Sequence, residues 1–313
     1  MFKKIFYVLC IIPLLISCKK DDPGLQIDTS DPVYPGQYLL FDADEAFNTG
    51  LTTYPSPYTS IYYTNLDGSG LTRVTPAENG YYSYRPSWAP DGKSVLFIRG
   101  NQGDDYRSIC SINIDGTNFK SLVQGNKVDY PSYSPDGKKL IYAKTLGTTP
   151  PYPYDIYVSN ADGTGEQRIT NFADDNGAVS NMHCSSDGKI YFYGGSQHVS
   201  SGVYSVNLDG SGLKFNLNDV DFLDISPDGK YILFDLANGL FICNNDGTNI
   251  RTLLPFDNSY PDNLVGASWS PDGYEIYFSN ANYPTNYGLY RINTQGYGLQ
   301  QLRVGYYEFP QVF

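Results

Sequence analysis

Apolar residues recur at alternate positions in short stretches from about residue 37 onward, the period of half-buried β-strands. Turn sequences of two alternating kinds separate these stretches. The first is Ser-Pro-Asp-Gly, present as Ala89-Pro90-Asp91-Gly92, Ser134–Gly137, Ser185-Ser186-Asp187-Gly188, Ser226–Gly229 and Ser270–Gly273. The second is Asn-x-Asp-Gly-[Thr/Ser], present as Asn65–Ser69, Asn113–Thr117, Asn160–Thr164, Asn207–Ser211 and Asn244–Thr248, with a degenerate copy at Asn293-Thr294-Gln295-Gly296. Both predict hairpins: Pro pre-sets φ, Asp or Asn bonds nearby backbone, and Gly takes the left-handed position.

The strands between turns keep register. An aromatic follows the first motif at Phe97, Tyr142, Phe192, Phe234 and Phe278. The place before the second motif holds Tyr62, Cys110, Tyr157, Tyr204, Phe241 and Tyr290. These read as core. The period is 37 to 51 residues, and repeats of this size predict a propeller, because one blade cannot bury both of its faces alone. The fold class is therefore all-β, a six-bladed β-propeller of four-stranded antiparallel blades. Tyr307–Phe313 aligns with Tyr84-Arg85-Pro86-Ser87-Trp88 and stops where the turn would begin, while Pro35–Phe41 resumes just after such a turn. The C-terminal strand is thus expected to close the first blade.

The N-terminus has a different pattern. Lys3 and Lys4 precede an apolar run, Ile5–Ile16, too short to span a bilayer but suited to a signal peptide. It ends Leu15-Ile16-Ser17-Cys18, which resembles a bacterial lipobox and implies a lipidated Cys18. Lys19-Lys20-Asp21-Asp22 resembles the surface-export signals of Bacteroidetes lipoproteins, and Lys after the Cys points to the outer membrane. The expected organisation is a signal peptide at 1–17, a lipidated Cys and flexible tether at 18–36, and a propeller at 37–313.

Composition agrees with β structure: 28 Asp stand against 5 Glu, and Asp is a turn residue where Glu is a helix former. Loss of residues 1–17 takes the formal charge from −12 to −14, which disfavours nucleic acid as a partner. Cys110, Cys184 and Cys243 then remain, matching no zinc spacing, and read as buried thiols.

The repeats resemble the TolB-type, WD40-like β-propeller repeats marked by Ser-Pro-Asp-Gly-Lys, over essentially everything after the tether. In that family the propeller works in a cell-envelope complex with a peptidoglycan-associated lipoprotein. This chain lacks the family's extra N-terminal α/β domain and carries its own anchor signal, so those partners are not carried over.

One end of the ring carries the repeated tight turns; the other carries longer, unrepeated connections, where function is expected. Loop aromatics there include Tyr54, Tyr58, Tyr82, Tyr84, Tyr152, Tyr154, Tyr260, Tyr283 and Tyr307. Repeat alignment places Ser87, Ser132, His183, Asp224, Ser268 and Gln311 at one channel position, with Arg85, Asp129, Tyr130, Asp221 and Glu308 near the mouth. These form the candidate ligand-binding set. No Gly-x-Ser-x-Gly elbow is present. The only two His, His183 and His198, both map to the fourth blade and cannot supply the several-His metal set of the propeller lyases that cleave oligogalacturonate. No catalytic residue, cofactor or metal is assigned.

The preferred function is a monomeric, lipid-anchored outer-membrane binding or scaffold protein. It would hold an envelope protein, peptide or glycan at the long-loop face and meet the membrane only through its lipid. The alternative is a polysaccharide-degrading lyase or hydrolase with its site at the channel mouth.

Overall fold

The computed structural model describes residues 38–44, 59–76, 80–101, 106–147, 152–236, 239–255, 264–280 and 287–313. The signal, Cys18 and the tether lie outside the described residues, as do Tyr54, Tyr58, Tyr260 and Tyr283.

Among the described residues, 24 strands form six antiparallel four-stranded blades. From the inside outward, blade 1 orders β24 (Tyr307–Val312), β1 (Tyr38–Asp44), β2 (Thr59–Asn65) and β3 (Thr72–Arg73). Blade 2 is β4 (Tyr81–Trp88), β5 (Ser94–Asn101), β6 (Tyr106–Asn113) and β7 (Lys120–Asn126). Blade 3 is β8 (Val128–Tyr133), β9 (Lys139–Thr145), β10 (Tyr154–Asn160) and β11 (Gln167–Arg168). Blade 4 is β12 (Ala178–Cys184), β13 (Lys189–Gly195), β14 (Gly202–Asn207) and β15 (Lys214–Asn218). Blade 5 is β16 (Asp221–Ile225), β17 (Tyr231–Leu236), β18 (Gly239–Asn244) and β19 (Arg251–Pro255). Blade 6 is β20 (Leu264–Trp269), β21 (Glu275–Asn280), β22 (Gly288–Asn293) and β23 (Gln300–Val304). The innermost strands β24, β4, β8, β12, β16 and β20 meet in that order, and β20 returns to β24. The closure expected from the repeat count is present: β24 pairs with β1.

The repeated aromatics meet across the two middle strands of each blade. Phe41 faces Tyr62, Phe97 faces Cys110, Tyr142 faces Tyr157, Phe192 faces Tyr204, Phe234 faces Phe241 and Phe278 faces Tyr290. Five of these pairs stack, with centroids 5.4 to 6.5 Å apart. Such pairs add about 0.5–1.5 kcal/mol each beyond their area burial. Where Cys110 breaks the aromatic rule, Phe119 packs on Phe97 instead. Cys110 and Cys243 are buried and Cys184 is half-buried, all three free thiols. Burial pushes Cys110 up to about 11 and Cys184 and Cys243 up to about 12.

The second turn motif does two jobs. In Asn65–Ser69, Asp67 Oδ1 accepts the Ser69 backbone N–H at 2.9 Å and its hydroxyl at 2.6 Å, and Asn65 Nδ2 donates to the same hydroxyl at 2.9 Å. The other four intact copies repeat the set. The motif's glycine also lies against the outer strand of the preceding blade. A Cβ on Gly163 would stand 2.2 Å from the Leu122 carbonyl oxygen, and one on Gly68 would stand 2.4 Å from that of Leu302. The turn therefore closes a hairpin and packs one blade onto the next.

Gly163→Ala (φ +85°) should lower stability by at least about 1–3 kcal/mol, measured by thermal or urea unfolding. Gly273→Ala (φ +74°) has nothing within 4 Å of its Cβ, meets only the backbone penalty and should lose less. Equal losses would show that the inter-blade contact contributes nothing. Deleting 307–313 should unfold or oligomerise the protein; a truncated monomer with an unchanged melting temperature would contradict closure through β24.

Candidate functional site

Each innermost strand carries one extra residue, at nearly the same place in every blade, where its pairing with the second strand shifts. In four blades a non-glycine residue there takes a left-handed φ: +52° at Arg85, +53° at Tyr130, +45° at Asn181 and +47° at Phe309. Three of the four precede proline, as Arg85-Pro86, Tyr130-Pro131 and Phe309-Pro310. Left-handed non-glycine residues cost of order 1–3 kcal/mol each and cluster at functional sites, and bulges re-aim side chains. Here they bring three blades together. The Arg85 guanidinium carbon lies 3.8 Å from the Tyr130 ring centroid and 4.9 Å from that of Phe309.

Two positions past the bulge, the expected equivalence appears. Ser87, Ser132, His183, Asp224, Ser268 and Gln311 occupy matching registers and all line a channel cavity of about 430 Å3. His183 Nδ1 lies 3.1 Å from Asp224 Oδ1. Asp224 also accepts backbone N–H groups from Ile225 at 2.7 Å and Trp269 at 2.9 Å. Burial raises its pKa, and His183 and these N–H groups oppose that rise. His198 goes elsewhere: its Nδ1 lies 2.6 Å from Asp175 Oδ1, and it does not line the channel.

A second cavity, of about 450 Å3, lies beside the channel and is lined by Asp42, Thr59, Tyr82, Tyr84, Arg85, Arg107, Asp129 and Glu308. Arg85 lines both cavities. Asp129 joins two guanidiniums: Arg85 NH1 meets its Oδ1 at 2.5 Å and Arg107 NH1 its Oδ2 at 3.1 Å. Burial alone would lower the pKa of Arg85, but Asp129 and Tyr130 more than offset it and hold the guanidinium charged. The Arg107 guanidinium carbon sits 5.5 Å from the Tyr84 centroid. Burial, then the nearby Asp129, raises the Tyr84 phenol, which therefore stays protonated.

Asp42 and Glu308 are cross-strand partners between β1 and β24. Asp42 is wholly buried, and burial followed by the Glu308 charge raises its pKa well above the usual carboxylate range. Its Oδ1 accepts the Arg85 backbone N–H at 3.1 Å, and Glu308 Oε1 accepts the Tyr306 hydroxyl.

Seven buried side-chain polar atoms have no hydrogen-bond partner among the described residues; four belong to residues lining this basin: Asp42 Oδ2, Tyr84 OH, Arg85 Nε and Arg107 Nε. An unsatisfied buried polar atom costs about 1–3 kcal/mol. Buried Asp155 is the contrast. Its two oxygens accept from Thr170, Phe172 N, Ala173 N and Arg168 at 2.6 to 3.2 Å, a structural carboxylate with every partner in place.

The other expected residues divide. Tyr82 and Tyr84 lie within β4 and line the basin, because β4 runs further than the expected connection. Tyr154 opens β10, and burial pushes its phenol up to about 12. Tyr152 lies under the Lys127 ammonium, 3.8 Å from its centroid. Tyr307 is not a loop residue: it begins β24, is buried, and packs edge-on to Phe41 at 4.9 Å. Asp221 is exposed at the start of β16 and lines neither cavity. Asp42, Thr59, Arg107 and Phe309 were not among the expected residues. The repeated X-Pro step pointed to Phe309. An acid in the apolar run Tyr38-Leu39-Leu40-Phe41-Asp42-Ala43 pointed to Asp42. Among the described residues no group of three or more His, Cys, Asp or Glu is placed to hold a metal ion.

No protein-family model matches the chain. A 71-residue stretch, 23% of the chain, is 31% identical to the Tol-Pal system protein TolB of Rhizorhabdus wittichii and spans 16% of that protein. TolB from Acinetobacter baumannii superposes with a TM-score of 0.67 at 17% identity, over 88% of this chain and 66% of that one. The fold is a TolB-like six-bladed propeller. An oligogalacturonate lyase in complex with manganese superposes with a TM-score of 0.58 at 13% identity, over 75% of this chain and 71% of that one. The match thus spans only part of these two TolB proteins.

Asp42 gives a pH signature. As pH rises from about 4, the unfolded chain releases this proton first and the folded chain keeps it, so its contribution to stability falls until the folded pKa is passed. Asp42→Asn, which cannot titrate, should gain stability relative to wild type as pH rises from 4 to 8 in urea titrations. A pH-independent difference would contradict a raised pKa.

Proposed function

We propose that this protein is a non-enzymatic binding or scaffold protein of the cell envelope. It holds an envelope protein, peptide or glycan in the basin beside the channel mouth. The observation that carries this reading is a cavity of about 450 Å3 lined by Tyr82 and by an arginine already fixed by a bulge, a carboxylate and two aromatic rings. A preorganised group loses little entropy when a ligand arrives. Lipidation at Cys18 and an outer-membrane address rest on the N-terminal signal pattern, and likeness to a Tol-Pal system protein supports an envelope setting. No helix among the described residues is long and apolar enough to cross a membrane. The protein would act as a monomer.

A second reading has one specific observation behind it. Asp42 and Glu308 are neighbouring carboxyls with one pKa raised, the pattern of an acid–base pair in glycoside cleavage. Likeness to an oligogalacturonate lyase is compatible with a polysaccharide-degrading enzyme.

Binding of the purified full chain to glycan and peptide arrays separates the two. The binding reading expects saturable, turnover-free binding that Tyr82→Ala weakens by more than about fivefold, or ~1 kcal/mol. Polysaccharide cleavage abolished by Asp42→Asn would replace it with the enzyme.

A further inference from the structure

We propose that the turn end of blade 6 is a platform for a neutral glycan, on which the exposed rings of Tyr274 and Tyr297 stack against sugar faces and the Gln295 amide meets sugar hydroxyls. It lies at the opposite end of the ring from the basin and does not depend on the basin's binding anything.

The repeat shows what these positions hold when they serve the fold alone. In blades 2, 3 and 5 the residue after the glycine of the first turn is Lys93, Lys138 or Lys230, and its carbonyl accepts an N–H from the second turn, at Ile114, Ala161 or Asn245. Tyr274 fills that register in blade 6, and its carbonyl accepts the Thr294 N–H at 2.9 Å. In blades 1 to 5 the residue after the glycine of the second turn is Ser69, Thr117, Thr164, Ser211 or Thr248, and its hydroxyl joins the Asn and Asp of its own motif. Tyr297 fills that register, its carbonyl accepting the Asn293 N–H at 3.0 Å, and Gln295 stands where the Asp would be.

Blade 6 thus forgoes both the turn's hydroxyl bonds and the lysine. Nothing in the fold replaces them. Tyr297 is 73% exposed and Tyr274 68%, the two most exposed large apolar side chains among the described residues. Neither ring nor hydroxyl takes a partner there. A single exposed aromatic is ordinary surface. Two on adjoining turns of one blade, at registers that are polar in the other blades, are a departure from the repeat with no structural return.

The chemistry of the patch fits a sugar. Asn293 Oδ1 accepts the Gln295 N–H at 3.1 Å and the Tyr297 N–H at 2.8 Å, and Asp272 Oδ1 accepts the Tyr274 N–H at 3.0 Å, so both tyrosines stand on fixed turns. Tyr on a fixed backbone offers amphipathic contact area at small entropy cost. Within the two turns, 270–274 and 293–297, only Asp272 is charged, whereas those of blade 5 carry Asp228, Lys230 and Asp246. A neutral patch on a chain of formal charge −12 suits a neutral ligand. A pyranose presents a face of C–H groups to an aromatic ring and hydroxyls at its edge to an amide. Two tyrosine side chains supply on the order of 300–500 Å2, short of the ~800 Å2 per partner of a stable protein interface.

Calorimetric titration of the full chain in detergent with cellohexaose, maltohexaose and chitohexaose tests the platform. We expect at least one hexaose to bind saturably. Two variants restore the repeat: Tyr274→Lys, and Gln295→Asp combined with Tyr297→Thr. Each should weaken that binding about tenfold or more. The melting temperature should stay level or rise, because the second variant regains the hydroxyl–Asp bonds of the other copies. Tyr82→Ala, in the basin, should leave hexaose binding unchanged. No saturable binding of any hexaose, or binding that both variants leave within about twofold of wild type, would overturn the platform. Hexaose binding lost in Tyr82→Ala but kept by both variants would overturn it and leave the basin reading standing. Dimerisation of the wild type that both variants abolish, with no hexaose bound, would overturn the glycan in favour of a second copy of this chain.

Discussion

A four-stranded blade has two apolar faces and can bury neither alone, so everything in this protein depends on closing a ring of such blades. The closing bond is the pairing of β24 with β1, which joins the two ends of the propeller within one sheet. Between blades, the turn glycines set a backbone of one blade against a carbonyl of the blade before it, an approach that any side chain would block. Within blades, stacked aromatic pairs fill the middle strands. Repetition of the turns accounts for ten of the 28 Asp, and the stacked positions for five of the 30 Tyr.

The same closure builds the candidate site. Phe309 and Glu308 come from the last strand, Asp42 from the first, Arg85 from the second blade, and Asp129 and Tyr130 from the third. These residues meet because the ring brings β24 between β20 and β4, and because a bulge in each innermost strand turns a side chain across to its neighbour. Three of the left-handed residues, Arg85, Tyr130 and Phe309, and four of the seven unpartnered polar atoms among the described residues therefore fall together beside the channel mouth. Elsewhere in the fold a buried carboxylate such as Asp155 finds all its partners; at the mouth Asp42 does not.

The fold was legible because it repeats: the turns, the paired aromatics and even the missing strand could be read from register alone. The channel position was legible for the same reason, since Ser87, Ser132, His183, Asp224, Ser268 and Gln311 are equivalent by spacing. The basin was only half legible. It is the place where the blades differ, so repetition gives no guidance there. Arg107 reaches it from β6 through a side chain whose direction spacing does not set. Asp42 sits at a register that holds Ile98 in blade 2 and Ala143 in blade 3, so its role depends on what the neighbouring blade places opposite. Tyr307, by contrast, stands among the expected loop aromatics although its alignment with β4 already places it in the closing strand, where it lies.

The most direct test of the account is native-state hydrogen exchange of the full chain, comparing the amides of β24 with those of β1 and of the paired strands in the other blades. A ring closed through β24 should protect the paired β24 and β1 amides alike, up to the free energy of global unfolding. β24 amides that exchange much faster than those of β1 would contradict it.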